Sequence, residues 1–111
     1  MSRPFNQALR DARRDQRYPV SFDADLLVGR KRYRVTVRDL SRNGAMLSGE
    51  ALPPNGTRVL VPLGSAKLFG VVMWKHEVYC GLALLDPIEP LQIVRELTRA
   101  RIRRVPPLPE G

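Results

Sequence analysis

The chain has little of the chemistry on which most enzyme active sites and metal centres depend. Among 111 residues there is one cysteine, Cys80, and one histidine, His76. A single cysteine excludes an intramolecular disulfide and a cysteine-based metal site, and a lone histidine beside Glu77 forms no metal-ligating cluster. No serine or cysteine has a histidine partner nearby in sequence, and no carboxylates are paired at a useful spacing. We therefore expect a protein that is not an enzyme and has no metal or resident cofactor.

Long apolar runs are also lacking. No segment approaches the roughly 18–20 apolar residues that cross a bilayer, and the N-terminal MSRPFNQALRDARRDQR has no apolar stretch typical of a secretory signal. With no disulfide to form, these features favour a cytoplasmic protein without a membrane span. The length predicts a single domain over 1–111, and a hydrophobic fraction of 43% is enough for a modest core.

Acidic residues are few relative to basic ones. There are 11 acidic and 19 basic residues, which gives a net charge of +8, and 16 of the basic residues are arginine. The planar arginine fork pairs with two phosphate oxygens at once and stacks on bases. The expected partner is therefore anionic: a nucleotide, a nucleic acid, an acidic protein or an anionic lipid surface. Charge alone does not choose among them.

Alternation of apolar and polar residues predicts six short strands joined by brief turns. These predicted strands cover about 20–26, 32–38, 45–48, 57–63, 67–76 and 77–85. Short strands with tight turns favour a mainly β fold, and we expect a small six-stranded antiparallel β-barrel over 18–88.

Charged segments flank the predicted barrel. Residues 1–17 hold five arginines and few apolar side chains, so we expect a flexible arginine-rich arm; a short helix over 5–14 is also compatible with the sequence. An imperfect apolar stripe predicts a C-terminal α-helix over 89–105. Three prolines then end the helix and leave 106–111 as an extended tail.

The arm contains the first of two candidate ligand-binding clusters, Arg13-x-x-x-Arg17. An arginine fork matches the adjacent O6 and N7 acceptors of guanine, and it also matches a pair of phosphate oxygens. In isolation, however, an arginine-rich segment is more often simply solvated.

The second cluster, Asp39-x-Ser41-x-x-Gly44, follows the second predicted strand. In one interpretation it is only a strand end and turn, in which Asp39 and Ser41 bond nearby backbone and Gly44 takes a positive φ. In the other, strand alternation places Asp39 and Ser41 on one face, provided that the strand continues that far. There the carboxylate can accept from the ring N–H and exocyclic amine of guanine, the hydroxyl can reach phosphate or base, and Gly44 lets a bulky ligand approach.

An RxxxR cluster before the first strand, followed by DxSxxG at the end of the second, resembles the PilZ domain, a bacterial receptor for cyclic di-GMP. The resemblance extends to Met46-Leu47 and to Tyr79-Cys80-Gly81-Leu82. It implies a six-stranded barrel with a C-terminal helix. It also implies that the two clusters form one cyclic di-GMP site, with Arg14 as an additional contact; the implied site residues are Arg13, Arg14, Arg17, Asp39, Ser41 and Gly44.

The remaining candidates are mostly structural. Trp74 is expected to pack in the barrel, with a ligand-pocket wall made with Gly81 as the alternative. Cys80, in an apolar strand, is expected to pack as a small hydrophobe. Three arginines of the second strand are expected to form a solvated outer face, with extension of the anion site as the alternative; they are Arg32, Arg34 and Arg38.

Three functions are compatible with these features. The first is a cyclic di-GMP receptor that changes conformation to regulate a downstream protein, which the sequence does not identify. The second is a small barrel that binds single-stranded nucleic acid without sequence preference; aromatic residues amount to only 6%, so we do not expect nucleic acid as the partner. The third is a protein-interaction module that needs no ligand.

Overall fold

A computed structural model of the protein describes residues 16–104, where six antiparallel strands close into a barrel and a helix follows. This confirms the predicted fold class. Apart from Gln16 and Arg17, the predicted N-terminal arm lies outside the described residues, as does the predicted tail. The elements are β1 (Tyr18–Val28), β2 (Lys31–Leu40), β3 (Gly44–Ser48), β4 (Arg58–Leu63), β5 (Ala66–His76), β6 (Tyr79–Leu84) and α1 (Pro90–Arg104).

Around the barrel the strand order is β1-β2-β3-β6-β5-β4, and β1 closes the sheet by pairing with β4. Three connections are two-residue turns, which hold neighbouring strands in register. They lie at Gly29-Arg30, Gly64-Ser65 and Glu77-Val78. The longer segment 49–57 joins β3 to β4, which are not neighbours in the sheet.

Alternate apolar side chains fill the barrel, because successive residues of a strand point to opposite faces of the sheet. The largest completely buried side chains include Leu26, Leu40, Leu47, Leu68, Val37, Val61 and Val72. Cys80 is also fully buried. Burial raises the pKa of its thiol, and the charge of Lys75 opposes that effect only in part. Cys80 therefore packs as a small hydrophobe, as predicted.

Register shifts in β2 and β5 interrupt the alternation, and a third lies in β1, between Pro19 and Phe22. Val37 pairs with Leu47, but the next partners are Asp39 and Met46, so β2 has one extra residue relative to β3. A second irregularity lies in β5, between Val72 and Trp74. A bulge changes the direction of the side chains that follow it. In β2 it leaves both Arg38 and Asp39 outside the barrel, between the buried Val37 and Leu40.

The helix α1 covers the barrel beside the β4–β5 turn. Ile93 is part of the hydrophobic core, and Val94 and Leu97 pack against it. The Glu96 carboxylate accepts hydrogen bonds from the Ser65 backbone N–H at 3.0 Å and from the Ser65 hydroxyl at 2.7 Å. These bonds to the charged form lower the pKa of Glu96. They tie the helix to the turn.

We expect Glu96→Gln to lower the melting temperature at pH 7, because a neutral amide accepts these bonds less well than a carboxylate. Since the folded pKa of Glu96 lies below its unfolded value, its contribution to stability is present above about pH 4.3. That contribution is lost as the pH falls through the folded pKa.

Thermal unfolding measured from pH 7 down to about pH 3 should therefore show the difference between wild type and variant shrinking towards zero. Glu50→Gln removes an exposed carboxylate of the β3–β4 segment and is the control, with no expected effect at either pH. A difference that persists unchanged at the acid end would contradict this role of Glu96.

Candidate functional site

Arg17 and Asp39 form an ion pair on the outside of the barrel. Arg17 immediately precedes β1, and the neighbouring Pro19 is the register partner of Asp39 in β2. Arg17 Nη1 lies 3.0 Å from Asp39 Oδ1, with 60% of the arginine side chain exposed and 16% of the aspartate. Because the arginine is largely exposed while the carboxylate is mostly buried, a ligand that replaces Arg17 must itself satisfy the Asp39 carboxylate. Arg13 and Arg14 lie outside the described residues.

Ser41 closes the turn between β2 and β3. Its backbone N–H and its hydroxyl both donate to the Gly44 carbonyl, at 2.9 Å and 3.2 Å. The side chain is completely buried. The prediction that Asp39 and Ser41 share one face is wrong, because β2 ends at Leu40 and the chain turns before alternation reaches Ser41. Ser41 therefore shapes the turn that follows Asp39.

Gly44 begins β3 and does not take the predicted positive φ, a correction to the turn interpretation. Its need for glycine is spatial: a Cβ at this position would lie 3.1 Å from the Leu82 carbonyl oxygen of β6. Two backbone hydrogen bonds also hold the turn in place. The Asn43 carbonyl accepts from Leu84 N–H and the Arg42 carbonyl accepts from Ile88 N–H, each at 2.9 Å. The DxSxxG turn is therefore bonded to β6 and to the segment before α1.

The strand register places five residues in one line across the outside of the sheet. Asp39 pairs with Met46, Met46 with Gly81, and Gly81 with Trp74. Pro19 continues the line on β1. From Asp39 to Trp74 there are three strand spacings of about 4.8 Å, or about 14 Å. We call this line, from Pro19 through Asp39, Met46 and Gly81 to Trp74, the site row.

Trp74 lies at the far end of the site row and not in the barrel core, which corrects the expectation of core packing. The bulge in β5 turns it outward, where it is 43% exposed. Its indole rests on Gly81 so closely that a Cβ on Gly81 would overlap Trp74 Nε1. The alternative expectation, that these two residues form the wall of a ligand pocket, stays a prediction. Met46, which separates them from Asp39, was not among the predicted site residues although alternation places it on the outer face.

Arg38 lies at the edge of the site row. Its Nε donates to the Ser48 hydroxyl at 2.9 Å. Both residues line a shallow groove of about 400 Å³ that Arg34 and Tyr79 also line. The other second-strand arginines differ, because Arg32 and Arg34 approach Asp25 at 3.8 Å and 3.3 Å. Arg32 and Arg34 are thus paired with a carboxylate, whereas Arg38 bonds a hydroxyl beside the site row.

Metal-ligating side chains do not gather within residues 16–104: no group of three or more histidine, cysteine, aspartate or glutamate residues lies close together there. His76 contacts only Glu77, through Nε2 and Oε1 at 3.3 Å, among the ion pairs of this part of the chain. No helix in the same range is long and apolar enough to cross a membrane.

The fold is a small closed barrel whose outer wall carries a guanidinium, a carboxylate and an indole along the site row. The sequence pattern of the PilZ domain matches residues 11–103. The chain belongs to the PilZ family, a family of cyclic di-GMP receptor domains. No curated protein sequence matches the chain.

We expect Ser41→Ala to destabilise the protein by about 1 kcal/mol, because the turn loses one of its two bonds to the Gly44 carbonyl and the site is fully buried. Denaturant unfolding monitored by circular dichroism measures the change. Thr98→Ala, which removes an exposed hydroxyl from α1, is the control and should not destabilise. Equal stability of Ser41→Ala and wild type would show that the hydroxyl does not support the turn.

We expect Gly81→Ala to displace the indole of Trp74, because the new methyl group would occupy its place. Trp74 is the only tryptophan, so its fluorescence reports the change directly. Emission should shift to longer wavelength and iodide should quench it more strongly than in wild type. Gly29→Ala adds a methyl group that meets no atom within 4 Å, and although it strains a turn at positive φ it should leave emission unchanged. An unaltered spectrum in Gly81→Ala would argue against this packing.

Proposed function

We propose that this protein is a cyclic di-GMP receptor that binds the dinucleotide along the site row. The observation that carries the proposal is the exposed Arg17–Asp39 pair, with its guanidinium and carboxylate 3.0 Å apart. Membership of the PilZ family supports it. The receptor has no catalytic role in this proposal.

The pair is complementary to one guanine base. Guanine presents O6 and N7 as neighbouring acceptors, which suit the Arg17 fork. Its ring N–H and exocyclic amine are donors, which suit the Asp39 carboxylate. Because an exposed ion pair is worth little, a base that satisfies both groups with charge-assisted hydrogen bonds can replace it favourably.

The rest of the site row would support the flat ligand. Met46 and the indole of Trp74 offer an apolar surface on the far side of Asp39, and bases stack well on aromatic rings. We propose that Arg13 and Arg14, outside the described residues, add guanidiniums for the phosphates. The net charge of +8 would speed the encounter with a dianionic ligand.

Regulation would follow from the exchange of contacts. Ligand binding would release Arg17 from Asp39, beside a turn that is bonded to β6 and to the segment before α1. We propose that the altered surface controls a downstream protein partner. As a receptor for a bacterial second messenger, the protein would act in the bacterial cytoplasm.

Calorimetric titration with cyclic di-GMP tests the proposal and also gives the stoichiometry. Wild type should bind at micromolar protein, and Arg17→Ala and Asp39→Asn should each bind at least about tenfold more weakly, as expected for loss of a charged hydrogen bond. Asp25→Asn is the matched control, because Asp25 also pairs with arginines but lies off the site row.

No heat with wild type, or equal affinity in Asp39→Asn, would refute the receptor function. Binding of a single-stranded oligonucleotide that survives Asp39→Asn and falls steeply with salt would instead favour the nucleic-acid alternative.

A further inference from the structure

A second line of residues crosses the outside of the barrel on a different part of the sheet, and all of its members are apolar. Leu27 of β1 pairs with Leu60 of β4, and Leu60 pairs with Phe69 of β5. Leu85, just after β6, donates its N–H to the Phe69 carbonyl at 2.7 Å and extends the line. We call Leu27, Leu60, Phe69 and Leu85 the apolar row. It spans three strand spacings, about 14 Å.

These side chains are outside the core. Phe69 is 47% exposed and Leu85 is 55% exposed. Leu27 and Leu60 are partly exposed, and neither belongs to the hydrophobic cluster or packs against it. Among the described residues, α1 packs on the core through Ile93, Val94 and Leu97 and bonds to the β4–β5 turn at Ser65. A contiguous apolar line of this kind on a small barrel is typical of an interaction surface.

Basic side chains flank the apolar row on both sides. Arg58, opposite Val71, lies on one side, and Lys67, opposite Pro62, lies on the other. Both are exposed, and within residues 16–100 neither has an acidic group within ion-pair distance. An occupant with an apolar centre and acidic margins would satisfy both features at once.

The barrel geometry determines the form of the occupant. Because the sheet is closed, it has no free edge to which a partner could add a strand. Recognition must therefore occur through side chains on the outer wall. A line of about 14 Å corresponds to between two and three turns of an α-helix, whose residues at i, i+4 and i+7 form such a stripe.

We propose that the apolar row docks an acidic amphipathic helix of a partner protein. The site row takes no part in this contact, so the proposal does not depend on cyclic di-GMP binding. The chain's own α1 does not have this chemistry, because its exposed face includes Arg95 and Arg99.

Two other occupants fit the surface less well. Leu27 and Leu60 are half-buried in the wall of the sheet and do not project from a loop, so they are poorly placed to insert into a membrane. A two-fold dimer through this face would bring the basic residues of one copy against those of the other.

The test uses a labelled synthetic helix of about 15 residues, with leucines at i, i+4, i+7 and i+11 and glutamates beside them. Fluorescence anisotropy should show it binding to unliganded wild-type protein. Phe69→Ser and Leu85→Ser should each weaken binding about tenfold or more, and the pair Arg58→Glu and Lys67→Glu should do the same. Amide chemical shifts should change around Leu60, Phe69 and Leu85.

The controls distinguish specific binding at this surface from nonspecific hydrophobic or electrostatic binding. Val78→Ser removes another exposed apolar side chain, and Arg99→Glu reverses another exposed charge; both should bind as wild type does. A peptide of scrambled order, and one with lysines in place of glutamates, should not bind. Melting temperatures near that of wild type establish that each variant is folded.

Several results would overturn the proposal. They are equal binding of the scrambled peptide, no effect of Phe69→Ser and Leu85→Ser, or shifts confined to the site row. Phe69-dependent binding to vesicles containing an anionic lipid would assign the surface to a membrane. Phe69-dependent dimerisation in sedimentation experiments would assign it to a second copy of the chain.

Discussion

Closure of the sheet between β1 and β4 is the constraint on which the rest of the structure depends. Once six strands form a ring, each residue is either inside or outside, and its neighbours across the sheet are fixed by register. The interior then accepts only side chains that fill it, such as Leu26, Val37 and Leu47. Every polar or bulky group that must meet a ligand or partner is therefore presented on the outer wall.

Bulges modify that constraint at two positions along the site row. Without the extra residue in β2, strict alternation would send either Arg38 or Asp39 towards the core, where an unpaired charge is costly. The bulge puts both outside and brings Asp39 level with Met46. The irregularity in β5 places Trp74 opposite Gly81 in the same way. These two bulges thus align side chains from separate strands in the site row.

The strands and the core could be predicted from the sequence because period-two alternation is a local property. The site could be predicted only in part. Asp39 was identified from its motif, but its pairing with Arg17 depends on the register between Pro19 and Asp39, which alternation does not determine. Ser41, Gly44 and Trp74 were misplaced for related reasons: the strand ends at Leu40, Gly44 faces a carbonyl of β6, and a bulge redirects Trp74.

The two outer rows differ in how their charges are arranged, and this difference supports the separate roles proposed for them. In the site row the arginine and the aspartate neutralise each other, so a ligand must offer complementary donors and acceptors to displace them. Beside the apolar row, Arg58 and Lys67 have no such partner among residues 16–100, so an acidic surface gains attraction without first breaking a contact. The first arrangement favours selectivity for one small molecule, whereas the second favours rapid association with a larger partner. Because both rows include residues of β1 and β5, the same two strands would carry the proposed ligand site and the proposed docking surface on different parts of one barrel wall.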